Sequence, residues 1–328
     1  MSGARPKVFI TQPVAEAAIR RLRAVAEVTW NPDPLHVMTK SELCEAIREN
    51  EYLFCLLHDT IDAEVIAANH ALKVIASMAI TPSGIDVKAA TARRIPVTVI
   101  PPIVTEATAD LHWALLLAVA RRVVEADRFL RTGTFPGGQS SSLEGAAVYG
   151  KTIGIIGCGR VGQAVARRAR GFGMGILYYE RTPLAPAEEE DLGVRYTAMA
   201  RLLADADFVS VNCAYTRETH HQIGEPELAR MKRTAYLVNT ARGPVVDEKA
   251  LVKALQEKRI AGAALDVFEE EPHVGPELVG LGNVVLTPHI GSAVTELREE
   301  MALIVAENIL AVIEGRRPPN CFNPEIYG

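Results

Sequence analysis

The chain has 328 residues, enough for two domains at roughly 150 residues each, and its 48% hydrophobic and 23% charged content is that of an ordered globular protein. Lys and Arg number 35 against 40 Asp and Glu, a net charge of −5, so no positive excess exists to condense on a phosphate backbone, and nucleic acid is not an expected partner. Five cysteines, Cys44, Cys55, Cys158, Cys213 and Cys321, stand singly; an odd number with no close pairs offers no disulfide framework, and a reducing cytoplasm is the expected setting.

Arg5 and Lys7 precede only the short apolar run Val8 to Ile10, too brief for a signal-peptide core. Lys7 to Thr11, Tyr52 to Leu57, Lys73 to Ser77 and Pro96 to Ile100 read as short strands. Between the first two lies Val14 to Ala26, whose apolar residues recur at three and four with Arg20, Arg21 and Arg23 on another face, a crossover-helix pattern. That alternation predicts a parallel sheet covered by helices. After Pro101-Pro102 one long helix is predicted from Thr105-Glu106 to about Arg131. Its most apolar run, Trp113 to Ala120, ends at Arg121-Arg122, far short of the ~20 residues that span a bilayer, so a soluble protein without a membrane partner is expected. The segment from Gly133 to Gly145, rich in Gly and Ser, reads as a loop.

A second alternating series follows, with strands at Lys151 to Gly157, Gly175 to Glu180, Phe208 to Cys213, Ala235 to Ala241, Gly262 to Val267 and Val284 to Pro288. Six is the number a dinucleotide-binding domain needs. An amphipathic helix from about Thr295 to Glu314 and a Pro-rich tail come last.

The first strand of this series enters Gly157-Cys158-Gly159-Arg160-Val161-Gly162, and a helix-forming run leaves it. Gly157 permits a tight turn, Gly159 lets backbone amides approach a pyrophosphate, and Gly162 lets helix and strand pack closely, with the helix N-terminus facing the phosphates. Glu180 ends the next strand 23 residues beyond Gly157, near the roughly 20 expected of a carboxylate on the adenosine ribose. That carboxylate repels a 2′-phosphate and favours NAD; Arg181, one residue on and followed by Thr182, is a guanidinium that could pair with the phosphate of NADP.

Three later segments put titratable residues at strand ends: Asn239-Thr240-Ala241-Arg242-Gly243, Asp266-Val267-Phe268-Glu269-Glu270-Glu271-Pro272 and Thr287-Pro288-His289-Ile290-Gly291-Ser292. Ligands of open α/β sheets bind beyond the carboxyl ends of the strands, so the three segments converge on one crevice. Together with Ile85-Asp86, Ala89-Ala90-Thr91 and Thr105 to Asp110, they make nearly the whole chain resemble the D-isomer-specific 2-hydroxyacid dehydrogenase family, and within it the glyoxylate and hydroxypyruvate reductases.

The resemblance implies that Arg242 holds the carboxylate and carbonyl of a small 2-keto acid, that His289 is the proton donor or acceptor, and that Glu271, the glutamate before proline, is its partner. It also implies that Asp266 and the Gly291 region orient the nicotinamide carboxamide and that residues near Cys213, Thr240 and Ala241 line the cofactor. The chemistry is consistent. An alkoxide developing under hydride attack needs a proton, which imidazolium can supply near neutral pH, and a neighbouring carboxylate favours the charged ring. A guanidinium fork matches a planar carboxylate. Glu269 and Glu270 read as a solvated rim, His220-His221 as surface residues with no completed metal site, His112 as a core or interface residue, and Cys158 as a small side chain tolerated near phosphates.

The implied fold is α/β with two doubly wound parallel-sheet domains. A Rossmann domain of residues 102–291 would be inserted in a flavodoxin-like substrate-binding domain of residues 1–101 and 292–328, with the active site between them and a homodimer formed through the nucleotide domain. One departure stands out: most relatives carry glycine where this chain has Thr81, in a loop whose amides bind the substrate carboxylate, and Pro82 lacks an N–H. Ile80 precedes it, where the phosphite-oxidising members have a lysine. The competing reading is a nicotinamide-sensing binding protein of the same fold, resembling the corepressors, which would keep the glycine turn and need no turnover.

Overall fold

A computed structural model describes residues 5–138 and 140–328. The chain divides into two compact units, Met1–Ile103 with Ala293–Gly328, and Val104–Ser292.

The first unit carries β1 (Lys7–Ile10), β2 (Glu27–Trp30), β3 (Tyr52–Cys55), β4 (Val74–Ser77) and β5 (Val97–Thr98), all parallel in the order β2-β1-β3-β4-β5. This is the flavodoxin-like order, with its reversal between β1 and β3. Both central strands are buried on both faces, which is why they read as continuous apolar runs and not as alternations. Thr39 and Glu42 close a reciprocal capping box that starts one crossover helix, and Asp62 caps the next. The last stretch of chain returns to this unit: the Thr295–Ile313 helix packs on the Glu16–Arg23 helix and on β4, and Arg21 Nη2 donates to Glu307 Oε2 at 2.6 Å. The buried Asn323 then accepts the β5 amide of Val97 at 2.8 Å and donates to Ile95 O at 3.0 Å.

The second unit carries β6 (Thr152–Ile156), β7 (Gly175–Tyr179), β8 (Arg195–Tyr196), β9 (Phe208–Val211), β10 (Tyr236–Asn239), β11 (Gly262–Leu265) and β12 (Val284–Leu286). All pair in parallel, ordered β12-β11-β10-β9-β6-β7-β8, so the order reverses between β6 and β9, where a doubly wound sheet opens a crevice.

Across one face of this sheet lies the Thr105–Ala120 helix, with His112, Trp113, Leu115, Leu116 and Val119 buried. Trp113 stacks on Phe172 with ring centroids 4.7 Å apart and donates to Val165 O at 3.2 Å, tying this helix to the one that follows the glycine turn. Among the described residues no helix is long and apolar enough to cross a membrane.

One expected element needs correction, and two strands were not expected. The single helix predicted from Thr105 to about Arg131 is two, because Arg122 takes a left-handed conformation (φ 53°) and starts a separate Val123–Arg131 helix. Strands β2 and β8 escaped the sequence reading; both are edge strands that bury one residue and none, so neither carries the apolar run that marks the other strands.

Candidate active site

The glycine turn sits at the sheet's reversal point. A side-chain carbon on Gly157, which has φ 90°, would lie 2.4 Å from the backbone nitrogen of Cys213 at the end of β9, and one on Gly162 would lie 2.2 Å from Gly157 O. The tight turn expected at Gly157 and the close packing expected at Gly162 both leave no room for a side chain. Gly159 differs: nothing lies within 4 Å of where its side chain would be, and it opens the 12-residue Arg160–Gly171 helix with no side-chain cap. Open space at a helix N-terminus with uncapped amides fits a pyrophosphate, so the residues present suit a dinucleotide.

Glu180 follows β7, and its Oε2 accepts the amide of Cys158 at 2.9 Å while Oε1 accepts that of Arg181 at 3.2 Å. The carboxylate is thereby fixed beside the turn. Arg160, Arg181 and Thr182 are exposed, whereas Val161 is half-buried. Cys158 is buried, and burial with the Glu180 charge holds its thiol up at about 12; burial likewise raises Cys213 to about 11. Both stay protonated at neutral pH.

Three neighbouring strands deliver the remaining residues. Beyond β10, Asn239 Oδ1 accepts from Ala241 N at 3.0 Å and Asn239 Nδ2 donates to Arg242 O at 3.0 Å, which locks the Thr240-Ala241-Arg242 turn. Arg242 Nη1 donates to Ala241 O at 2.7 Å. Burial lowers the guanidinium's pKa and the Glu271 charge opposes that shift. Beyond β11, Asp266 gathers the loop after β12: its Oδ1 accepts from Thr287 Oγ1 at 2.7 Å and Ile290 N at 2.8 Å, and its Oδ2 accepts from Gly291 N at 2.9 Å. Inside that loop His289 adopts φ 53°, and its Nδ1 lies 2.7 Å from Glu271 Oε2. Glu271 is held in turn by Phe268 N, which donates to Oε1 at 2.9 Å. Arg242, Glu271 and His289 therefore follow the carboxyl ends of three adjacent strands.

Gly243 joins the first two of these segments, since a side-chain carbon there would lie 1.8 Å from Phe268 O. Two sequence readings change at this edge. Glu269 is no solvated rim: it accepts Glu248 N at 3.2 Å, Glu248 accepts Glu269 N at 3.1 Å, and His221 Nε2 lies 2.5 Å from Glu269 Oε1. His221 is correspondingly half-buried and paired, while His220 stacks on it with centroids 3.9 Å apart and stays exposed. No local pattern signals this pairing, because the partners lie 48 residues apart on separate loops.

Sequence reasoning also missed Ser210 and Asn212, which alternate along the end of β9 toward buried His112; their spacing of two, set against a histidine in an apolar helix, was the available signal. In the first unit, half-buried Ile80 precedes Thr81, whose hydroxyl lies 2.9 Å from that of Ser83, while Ile85 N donates to Pro82 O at 3.0 Å to close the turn.

Comparison with known proteins extends this picture. Residues 113–291 match the family model described as the D-isomer specific 2-hydroxyacid dehydrogenase, NAD binding domain. A glyoxylate reductase of Thermococcus litoralis is 48% identical over 326 residues, covering 98% of each chain. A Thermus thermophilus protein of known crystal structure is 43% identical, with a TM-score of 0.88 over 96% of this chain and 99% of that one. An NADPH-dependent glyoxylate/hydroxypyruvate reductase of Sinorhizobium meliloti, in complex with NADP and malonate, is 30% identical, with a TM-score of 0.81 over 97% of each.

Proposed function

The chain belongs to the D-isomer specific 2-hydroxyacid dehydrogenase family, and from that premise we propose that it reduces glyoxylate, hydroxypyruvate or a similar small 2-keto acid, with His289 as the acid and base. The product is the 2-hydroxy acid, of D configuration where the carbon is a stereocentre. The observation that carries the reading is the 2.7 Å bond between His289 Nδ1 and Glu271 Oε2 at the strand ends that also present Arg242.

Bound NAD(P)H supplies the hydride. Gly157 to Gly162 hold its pyrophosphate, Glu180, Arg181 and Thr182 its adenosine ribose, and Cys213, Thr240, Ala241, Asp266 and Gly291 its nicotinamide half. Glu271 takes the Nδ1 proton of His289 in a hydrogen bond, so the proton exchanged with the substrate oxygen is the one on Nε2. When the ring is an imidazolium it gives that proton to the oxygen as negative charge develops there, and in the reverse direction the neutral ring takes it back. Glu271 steadies the charged ring and keeps it oriented. Arg242 remains a cation even where burial lowers its pKa, and its planar donors hold the substrate carboxylate and polarise the carbonyl.

Ile80 and Thr81 select the substrate: a side chain at Thr81, bonded to Ser83, reshapes the carboxylate-binding loop. What supports a homodimer through the nucleotide domain is the Val123–Arg131 helix, which is amphipathic yet buries no residue fully within its own chain. The reading is tested by assaying a panel of 2-keto acids with NADH and NADPH separately. Turnover of glyoxylate or hydroxypyruvate is expected with NADH and, less efficiently, with NADPH; binding of nucleotide without turnover of any keto acid would replace the enzyme with a nicotinamide sensor.

A further inference from the structure

His112 is fully buried on the Thr105–Ala120 helix, yet both of its ring nitrogens are engaged. Nε2 lies 3.0 Å from Ser210 Oγ in β9, and Nδ1 lies 3.2 Å from Oγ1 of Thr240, the residue after β10. Ser210 Oγ also accepts from Asn212 Nδ2 at 2.7 Å. Burial drives the histidine down to about 3, so at working pH the ring is neutral and carries one N–H.

The donors and acceptors can then be counted. Ser210 Oγ already receives the Asn212 N–H, and among the described residues its own hydrogen has one acceptor, His112 Nε2. The ring proton is therefore on Nδ1 and is donated to Thr240 Oγ1. With that lone pair used, the Thr240 hydroxyl hydrogen is directed away from His112, and no acceptor for it occurs among the described residues. At the other end of the chain Asn212 Oδ1 is buried without a hydrogen-bond partner, a costly arrangement unless a ligand completes it. Asn212 adjoins Cys213, whose backbone abuts the glycine turn, and Thr240 adjoins Ala241 and Arg242.

We infer that His112 is a positioning residue for the dinucleotide: through Ser210 and Thr240 it sets a hydroxyl donor and an amide acceptor, Asn212 Oδ1, that the nicotinamide ribosyl half closes. This rests on the dinucleotide reading above. It assigns binding roles to Asn212 and to the Thr240 hydroxyl, and turns His112 from core filling into the part that fixes their direction.

Calorimetric titration of the full chain with NADH and, separately, with ADP tests it. Thr240→Val and Asn212→Leu should each weaken NADH about five- to tenfold, the cost of one lost hydrogen bond, and leave ADP binding unchanged. His112→Leu should weaken NADH at least as much, with partial recovery in His112→Gln, which can both donate and accept. If His112→Leu does not fold, the two edge variants decide alone. Unchanged NADH affinity in both edge variants, or parallel loss of NADH and ADP, overturns the inference. A wild-type chain that binds neither nucleotide overturns the dinucleotide reading and this inference with it.

Discussion

Glu271 grips the His289 ring through Nδ1, and the other nitrogen is the one assigned to the substrate oxygen. Replacing His289 by Ala should lower kcat by about 10²-fold or more, the range for loss of a general acid and base, with little change in nucleotide affinity; steady-state kinetics beside NADH titration separate the two. Glu180 offers a different readout. Its carboxylate is held beside the glycine turn by two amides, and Glu180→Ser removes the charge that opposes a 2′-phosphate next to exposed Arg181. The ratio of kcat/KM for NADPH over NADH should rise, and an unchanged ratio would place Glu180 away from the ribose. His112 makes a pH-dependent contribution to stability. Its pKa falls from 6.5 to about 3 on folding, so the native state refuses a proton that the unfolded chain accepts. Its contribution is complete above pH 6.5 and is lost as pH falls toward 3, at about 1.4 kcal/mol per pH unit for one proton. Urea denaturation between pH 4 and about 6.5 should show a shallower slope for His112→Gln than for the wild type.

The elements that carry the site depend on backbones meeting without intervening side chains. Gly243→Ala drives a methyl into the carbonyl of Phe268, 1.8 Å from the ideal position, so the Arg242 turn and the Phe268 to Glu271 turn must separate. A loss of about 3 kcal/mol in urea denaturation and a fall in kcat are expected together, because the same displacement moves Glu271 from His289. Much of this level was legible beforehand. The glycine turn announces itself by its strand-turn-helix setting, the three later segments by titratable residues that follow apolar strands, and the central strands as apolar runs; the choice of Arg242, Glu271 and His289 within those segments comes from the family resemblance. What stayed hidden depends on pairing between distant segments. Glu269 and His221 meet across 48 residues, and Ser210, Asn212 and Thr240 meet His112 only once the helix lies on the sheet. The break at Arg122 was hidden as well, since a left-handed arginine has no compositional mark.

At the scale of the whole molecule, the amphipathic Val123–Arg131 helix leaves Val123 52% and Leu130 57% exposed. A second copy covering this face makes the dimer proposed above, so Leu130→Arg together with Val123→Arg should shift the sedimentation coefficient from dimer to monomer. An unchanged coefficient would move the interface elsewhere.

The return of Ala293–Gly328 to the first unit has a consequence for synthesis on the ribosome. The early strands emerge without the helix that covers β4 or the asparagine that ties β5, and must wait for Val104–Ser292 to be translated. At about 5–20 residues per second that interval is roughly 10–40 s, long enough for the inserted unit to fold first and for the incomplete amino-terminal sheet to become a client for chaperones.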